Sequence, residues 1–191
     1  MKKLQFSFLL FLTVFLMGSC ISSEYMVTNK TSFVDDDQII GSWKFIPPVK
    51  KSADEMELPI DKIIFTKGSS TGTYSLIIKN KPTEGEQPKN DDKPLETYIS
   101  NLKGTKIVNF GGEDNGKKSY CYFKYKVENG KLLVSLFFEK GVNEAKAKGK
   151  SYDASKAKPT KFASEKVFQD FISKNLNNKL YWSEELVFTK E

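Results

Sequence analysis

The sequence predicts an all-β fold, an eight-stranded antiparallel up-and-down barrel with one amphipathic helix before the last strand. Three features carry this expectation. Short apolar runs alternate inward and outward side chains with period two, turn-forming residues separate them, and a single C-terminal stretch places apolar residues at spacings of three and four. The runs are rich in β-branched and aromatic side chains, which suit a pleated surface buried on one side. Eight antiparallel strands close into a barrel or split into a sandwich, since both arrangements protect the sheet edges. The folded domain is expected over 37–191, long enough to bury a core without staples.

Strand by strand, the first run is Ile39 to Ile46, ended by Pro47-Pro48. Lys62 to Lys67 and Thr73 to Lys79, joined by Gly68 to Gly72, read as a hairpin. Asn80 to Pro94 is a polar, proline-containing loop leading to Thr97 to Leu102, and Gly104 turns the chain into Thr105 to Phe110. After Gly111 to Gly116 come Ser119 to Val127 and Lys131 to Phe138, linked by Asn129-Gly130. Asn-Gly accepts positive φ at both central positions, as a type I′ hairpin turn requires. Cys121, Phe123, Tyr125 and Val127 share one face with Leu132, Val134, Leu136 and Phe138, joined by Phe45, Ile63, Phe65, Tyr74, Leu76 and Ile78. Lys124 and Lys126 mark the wet face, on which Tyr120, Tyr122 and Phe137 are expected as a small exposed aromatic patch. Glu139 to Lys161 reads as an exposed connection. Ser164 then caps a helix whose Val167, Phe168, Phe171, Ile172 and Leu176 form its docking face. A final strand over Lys179 to Thr189 points Trp182, Leu186 and Phe188 one way.

The N-terminus has three zones: Lys2 and Lys3, an apolar run from Phe6 to Met17, and small residues Gly18 and Ser19 before Cys20. That is the order of a signal peptide over 1–19, with an apolar stretch too short to span a bilayer. Leu16-Met17-Gly18-Ser19-Cys20 resembles the bacterial lipobox, although leucine is usual where Met17 stands. The resemblance implies palmitate-type acylation at Cys20, which would become the first mature residue and the membrane anchor. Ile21 lacks the aspartate associated with inner-membrane retention, so the expected location is the cell envelope at the outer membrane. Residues 20–36, rich in Ser, Thr, Asn and Asp, read as the lipidated cysteine and a flexible tether.

Composition narrows the chemistry. Every one of the 30 basic residues is lysine and there is no histidine, which removes Ser-His-Asp and Cys-His nucleophile systems and histidine-bound zinc. With Cys20 lipidated, Cys121 has no disulfide partner and reads as a buried thiol. The net charge of +6 is a mild excess of scattered lysine. Without arginine it lacks the bidentate contacts nucleic acids favour, so no nucleic-acid partner is expected. The acid groups Asp35-Asp36-Asp37, Asp54-Glu55-Glu57, Glu113-Asp114 and Glu184-Glu185 have no metal-ligand spacing and read as solvated loops, or as neighbours on opposite strand faces. No catalytic residue, metal or cofactor is assigned, and the chain reads as a non-enzyme.

Ile40-Gly41-Ser42-Trp43-Lys44, opening the first strand, resembles the Gly-x-Trp start of lipocalin-like (calycin-type) proteins. With the strand count, C-terminal helix and short last strand, the resemblance covers most of 37–191 and implies a barrel whose closed end is plugged by Trp43. In many lipocalins an arginine of the last strand packs across that tryptophan; this chain has none, so either Lys190 substitutes or the contact is absent, and the second lipocalin motif is not recognisable. The expected function is a lipid-anchored extracytoplasmic binding protein holding a small apolar or amphipathic ligand. Its candidate cavity lining is Trp43, Phe45, Phe65, Tyr74, Phe123, Tyr125 and Phe138, the alternative for these side chains being a filled core with no cavity. The alternative is a protein-interaction or inhibitor module of the cell envelope, working on an envelope protein through the loops Ile46 to Ile60, Asn80 to Pro94 and Glu139 to Lys161.

Overall fold

A computed structural model of the chain describes residues 23–48, 58–82, 93–114, 117–137, 162 and 164–191. Eight strands form a closed barrel in which each pairs antiparallel with its sequence neighbours, and β8 closes on β1. They are β1 Gly41–Ile46, β2 Ile60–Lys67, β3 Thr73–Asn80, β4 Leu95–Leu102, β5 Thr105–Asp114, β6 Lys117–Glu128, β7 Lys131–Leu136 and β8 Leu186–Lys190. One helix, α1 Glu165–Asn175, precedes β8. The expected fold class is therefore observed, and its closure satisfies the edge groups that an open sheet would expose.

The two ends of the barrel differ. At one end the strands are joined by short turns at 68–72, 103–104 and 129–130. Asn129 and Gly130 sit at φ 51° and 71°, the left-handed geometry of the expected hairpin turn. At the other end β1, β3 and β7 run into the connections 47–59, 81–94 and 137–185. The short-turn end is the floor and the opposite end the rim.

Alternation along the strands divides the core in two. Phe45, Ile63, Phe65, Tyr74, Leu76, Cys121, Phe123, Tyr125, Leu132 and Val134 pack inside the barrel, with Ile78, Val127 and Leu136 against them. The expected inward set is thus where period two puts it, and Phe138 lies outside the described residues. A second core forms on the outer wall, where Tyr98, Ile107, Tyr120, Tyr122 and Phe137 meet Phe168, Ile172 and Leu176 of α1. Ser164 Oγ caps the helix by accepting the Val167 N–H at 3.3 Å.

Several expectations are corrected by this outer layer. Tyr120, Tyr122 and Phe137 are not an exposed patch, because α1 and the N-terminal segment cover them and leave Tyr122 and Phe137 with no accessible surface. Val167 does not join the docking face of the helix and stays 46% exposed. The last strand starts only at Leu186, and Trp182 faces the outer core while Phe188 faces the interior. Trp182 is held by its indole N–H, which donates to the Asn175 carbonyl at 3.0 Å at the end of α1. Ile39 belongs to a 3-10 turn, Asp37–Ile39, that precedes the first strand.

The stretch read as a tether is also different. From Ser23 onward it is a strap running down the outer wall from rim to floor. Ser23 exchanges two backbone hydrogen bonds with Tyr120, at 2.8 and 2.9 Å. The Val27 N–H donates to Asn109 Oδ1 at 2.8 Å, and Thr28 Oγ1 donates to Ser100 Oγ at 2.8 Å. Val34 N–H then reaches the Ile99 carbonyl at 3.0 Å. Asn109, itself fully buried, returns its amide to Tyr98 O and Ser100 Oγ, so a polar seam is satisfied inside an apolar layer.

Candidate functional site

The floor is built around Trp43. Strand alternation turns its ring inward, where it is 1% exposed, and its indole N–H donates to the Ile39 carbonyl at 2.6 Å. This bond is local: the 3-10 turn brings Ile39 back over the strand that follows it. Gly41 adopts φ +122°, a conformation side chains rarely take, and so lets the chain pass from that turn into β1. Lys190, register partner of Trp43 across the β1–β8 seam, places its ammonium 5.3 Å from the ring centroid. Lysine thus stands where the family resemblance leads one to look for arginine.

Beside Trp43 the strap dives into the barrel. The Asp36 carboxylate is 5% exposed; its Oδ2 accepts from Tyr125 Oη and from Lys106 Nζ, each at 2.7 Å. Its Oδ1 accepts the Gln38 N–H at 3.2 Å, and the Asp36 N–H donates to Tyr74 Oη at 2.6 Å. The flanking acids stay outside. Asp35 accepts the Gly72 N–H at 2.8 Å, which holds its carboxyl below the usual carboxylate range, and Asp37 pairs with Lys67 at 2.9 Å. The three-aspartate run, expected as a solvated loop, is thus a clasp with its middle residue buried. Burial raises the Tyr125 hydroxyl pKa far above its ordinary value, and the neighbouring Asp36 carboxylate adds to the effect. Tyr74 is raised as well, chiefly by burial.

Above the floor the wall is aromatic. Phe123 lies 5.6 Å from Phe110, 6.4 Å from Phe65 and 6.5 Å from Tyr125 between ring centroids, and Phe45 lies 5.2 Å from Phe188. Such tilted and edge-on pairs stabilise beyond their area alone.

Of the candidate lining residues, the structure brings Trp43, Phe45, Phe65, Tyr74, Phe123 and Tyr125 into one interior cluster. Their parts differ, however. Phe45, Phe65 and Phe123 are apolar wall, whereas Trp43, Tyr74 and Tyr125 are hydrogen-bonded floor. Asp36 and Lys106 were missed by sequence reading, because alternation along β5 and β6 shows which way side chains face but not that a preceding segment folds into the barrel end. Cys20 and the acids Asp54, Glu55 and Glu57 lie outside the described residues. Among the described residues no helix is long and apolar enough to cross a membrane.

No family model, curated protein or solved structure matches this chain.

Proposed function

We propose that the protein is a non-enzymatic binding protein, anchored by a lipid on Cys20 at the outer membrane of the cell envelope. On this reading it holds a small apolar or amphipathic molecule at the rim end of the barrel. The supporting observation is the asymmetry of the barrel. One end is sealed by Trp43, the Asp36 clasp and short turns, and an aromatic wall of Phe45, Phe65, Phe110 and Phe123 leads away from it. An eight-stranded barrel has room inside for its own side chains or for one small ligand.

The test is fluorescence-probe displacement and thermal shift against a panel of fatty acids, haem and bile-type amphiphiles. Saturable binding of one class, with a rise in melting temperature, supports the carrier reading. A flat response across the panel overturns it.

One observation favours a second reading, a protein-interaction or inhibitor module. The connections 47–59, 81–94 and 137–185 all leave from the rim, and clustered loops are a common working surface. An inward substitution that leaves the loops intact, such as Phe45→Gln, separates the two. A carrier loses its affinity for the amphiphile, whereas an interaction module keeps its envelope partner in pull-down from membranes.

A further inference from the structure

The floor of the barrel is closed by residues that come before its first strand. Val34, Ile39 and Ile40 pack against the interior cluster, Ile39 with no accessible surface, and the Ile39 carbonyl holds the Trp43 indole. Where this segment crosses the turn between β2 and β3 it lies on bare backbone. A Cβ on Gly72 would stand 2.6 Å from Phe33 Cβ and 2.9 Å from Val34 N. The last residues of the strap are thus a cover seated closely on the barrel end.

Its fastening sets the cover apart from the strands. The strands hold one another through continuous backbone ladders. Among the described residues, 34–39 has one backbone hydrogen bond to a strand, from the Val34 N–H to the Ile99 carbonyl at 3.0 Å. Three consecutive carboxylates supply most of the remaining grip. Asp35 accepts the Gly72 N–H at 2.8 Å and lies 3.3 Å from Lys67 Nζ. Asp36 joins Lys106 of β5 and Tyr125 of β6, and Asp37 pairs with Lys67 of β2. Tyr74 of β3 faces the same group, its hydroxyl accepting the Asp36 N–H. At the far end Gly41, at φ +122°, joins the segment to β1. A glycine at the terminus of an element is a place where a backbone rotation can be absorbed.

We infer that 34–40 is a lid on the barrel floor, fastened by Asp35, Asp36 and Asp37, hinged at Gly41 and released by acid. Protonation turns an anionic acceptor into a neutral acid, while lysine ammonium groups stay charged in acid. The ion pairs are then lost from one side, and the hydrogen bonds fall to the strength of neutral ones. Asp35 sets the direction. The Gly72 N–H above all, with Lys67 behind it, holds its carboxyl below the usual carboxylate range. Its contribution to closure is therefore complete above that range and is lost as pH falls to the lowered value. Backbone ladders and apolar packing do not titrate there, so the lid opens while the barrel stands. Opening frees the Trp43 indole and joins the interior to solvent at the floor as well as at the rim. The lid needs neither the lipid anchor nor the amphiphile, and it stands or falls apart from both.

The test is hydrogen exchange followed by NMR on the full chain, at pH 7 and at about pH 3.5. Each rate is divided by that of an unstructured chain at the same pH. The lid probes are the Val34 and Asp36 amides and the Trp43 indole N–H; the barrel probes are the amides of β5 and β6. Acid should lower the protection of the three lid probes together, at least tenfold, while β5 and β6 keep theirs. Asp35→Asn/Asp37→Asn mimics the protonated acids at two exposed positions and leaves the interior untouched. It should loosen the lid probes at pH 7 and blunt the further effect of acid. If lid and strand probes lose protection in step, the floor opens only with the whole barrel and the lid is overturned. Lid protection that neither acid nor the double variant changes overturns it as well, since the carboxylates would then not be its fastening.

Discussion

Lys190 reaches across the seam where the barrel closes and sets its ammonium 5.3 Å from the centre of the Trp43 ring. The contact joins the first and last strands through register partners 147 positions apart in sequence, and it covers the floor tryptophan with a charge that remains solvated. A cation over an aromatic face at such a site contributes about 0.5–1 kcal/mol. Lys190→Ala should lower the melting temperature by about 1–4 °C, and Lys190→Arg should restore it, because guanidinium stacks on an indole at least as well as ammonium does. Thermal unfolding followed by circular dichroism checks both. An alanine variant as stable as the parent would mean that the contact contributes nothing.

The Asp36 clasp gives a larger expected effect. Removing the carboxylate leaves the Tyr125 hydroxyl without its acceptor inside the barrel, and hydrogen bonds to a charged acceptor contribute about 1.5–3 kcal/mol. The Lys106 pair adds little, since that lysine is about a third exposed and its charge is shared with water. Asp36→Ala should cost about 2–4 kcal/mol in urea unfolding, and Tyr125→Phe less. The double variant should cost less than the sum, because both remove the same bond. Strict additivity would dissolve the clasp as a unit.

These two contacts also show how far the sequence could be read. The Gly-x-Trp opening, the inward faces of β6 and β7 and the Asn129-Gly130 turn are local signals, so a window of ten residues contains them. Asp36 carries no such signal. Its burial is decided by Tyr74, Lys106 and Tyr125 on three separate strands, and in isolation it is one aspartate among three. The strap failed for the same reason. Val27 is buried not by any periodicity of its own but by a wall more than 70 residues downstream, and Trp182 sits in an isolated bridge with Phe137, outside the alternation of β8. One clue was legible: Tyr98, Ile107, Tyr120 and Tyr122 all occupy outward positions, and so many apolar side chains on the wet face imply a second layer over that part of the barrel.

Asn109 tests the strap. Its side chain accepts the Val27 N–H and donates to Tyr98 O and Ser100 Oγ, all buried. Asn109→Ala strands those partners, and an unsatisfied buried polar group costs about 1–3 kcal/mol. The expected result is a loss of about 2–3 kcal/mol with earlier proteolytic cleavage within 23–36, while the barrel keeps its β spectrum. If the strap stays as protected as in the parent, the seam is not what holds it.

Alkali should reveal the buried tyrosines. Burial raises the pKa of Tyr74, Tyr98, Tyr122, Tyr125 and Tyr181 above the ordinary value of 10.0. In the unfolded chain these phenols ionise near pH 10, whereas in the folded chain they hold their protons. Above pH 10 the unfolded state therefore binds fewer protons than the native one, and stability falls as pH rises, by about 1.4 kcal/mol per pH unit for each such tyrosine. Below pH 10 the same groups are protonated in both states and contribute no pH dependence. Phenolate absorbance near 295 nm should rise in two stages, first a gradual part from accessible tyrosines and then a steep step coinciding with loss of the β spectrum. Tyr122→Phe should shrink that step by one tyrosine. A single smooth titration centred at pH 10, with the barrel intact throughout, would contradict the burial of these five rings.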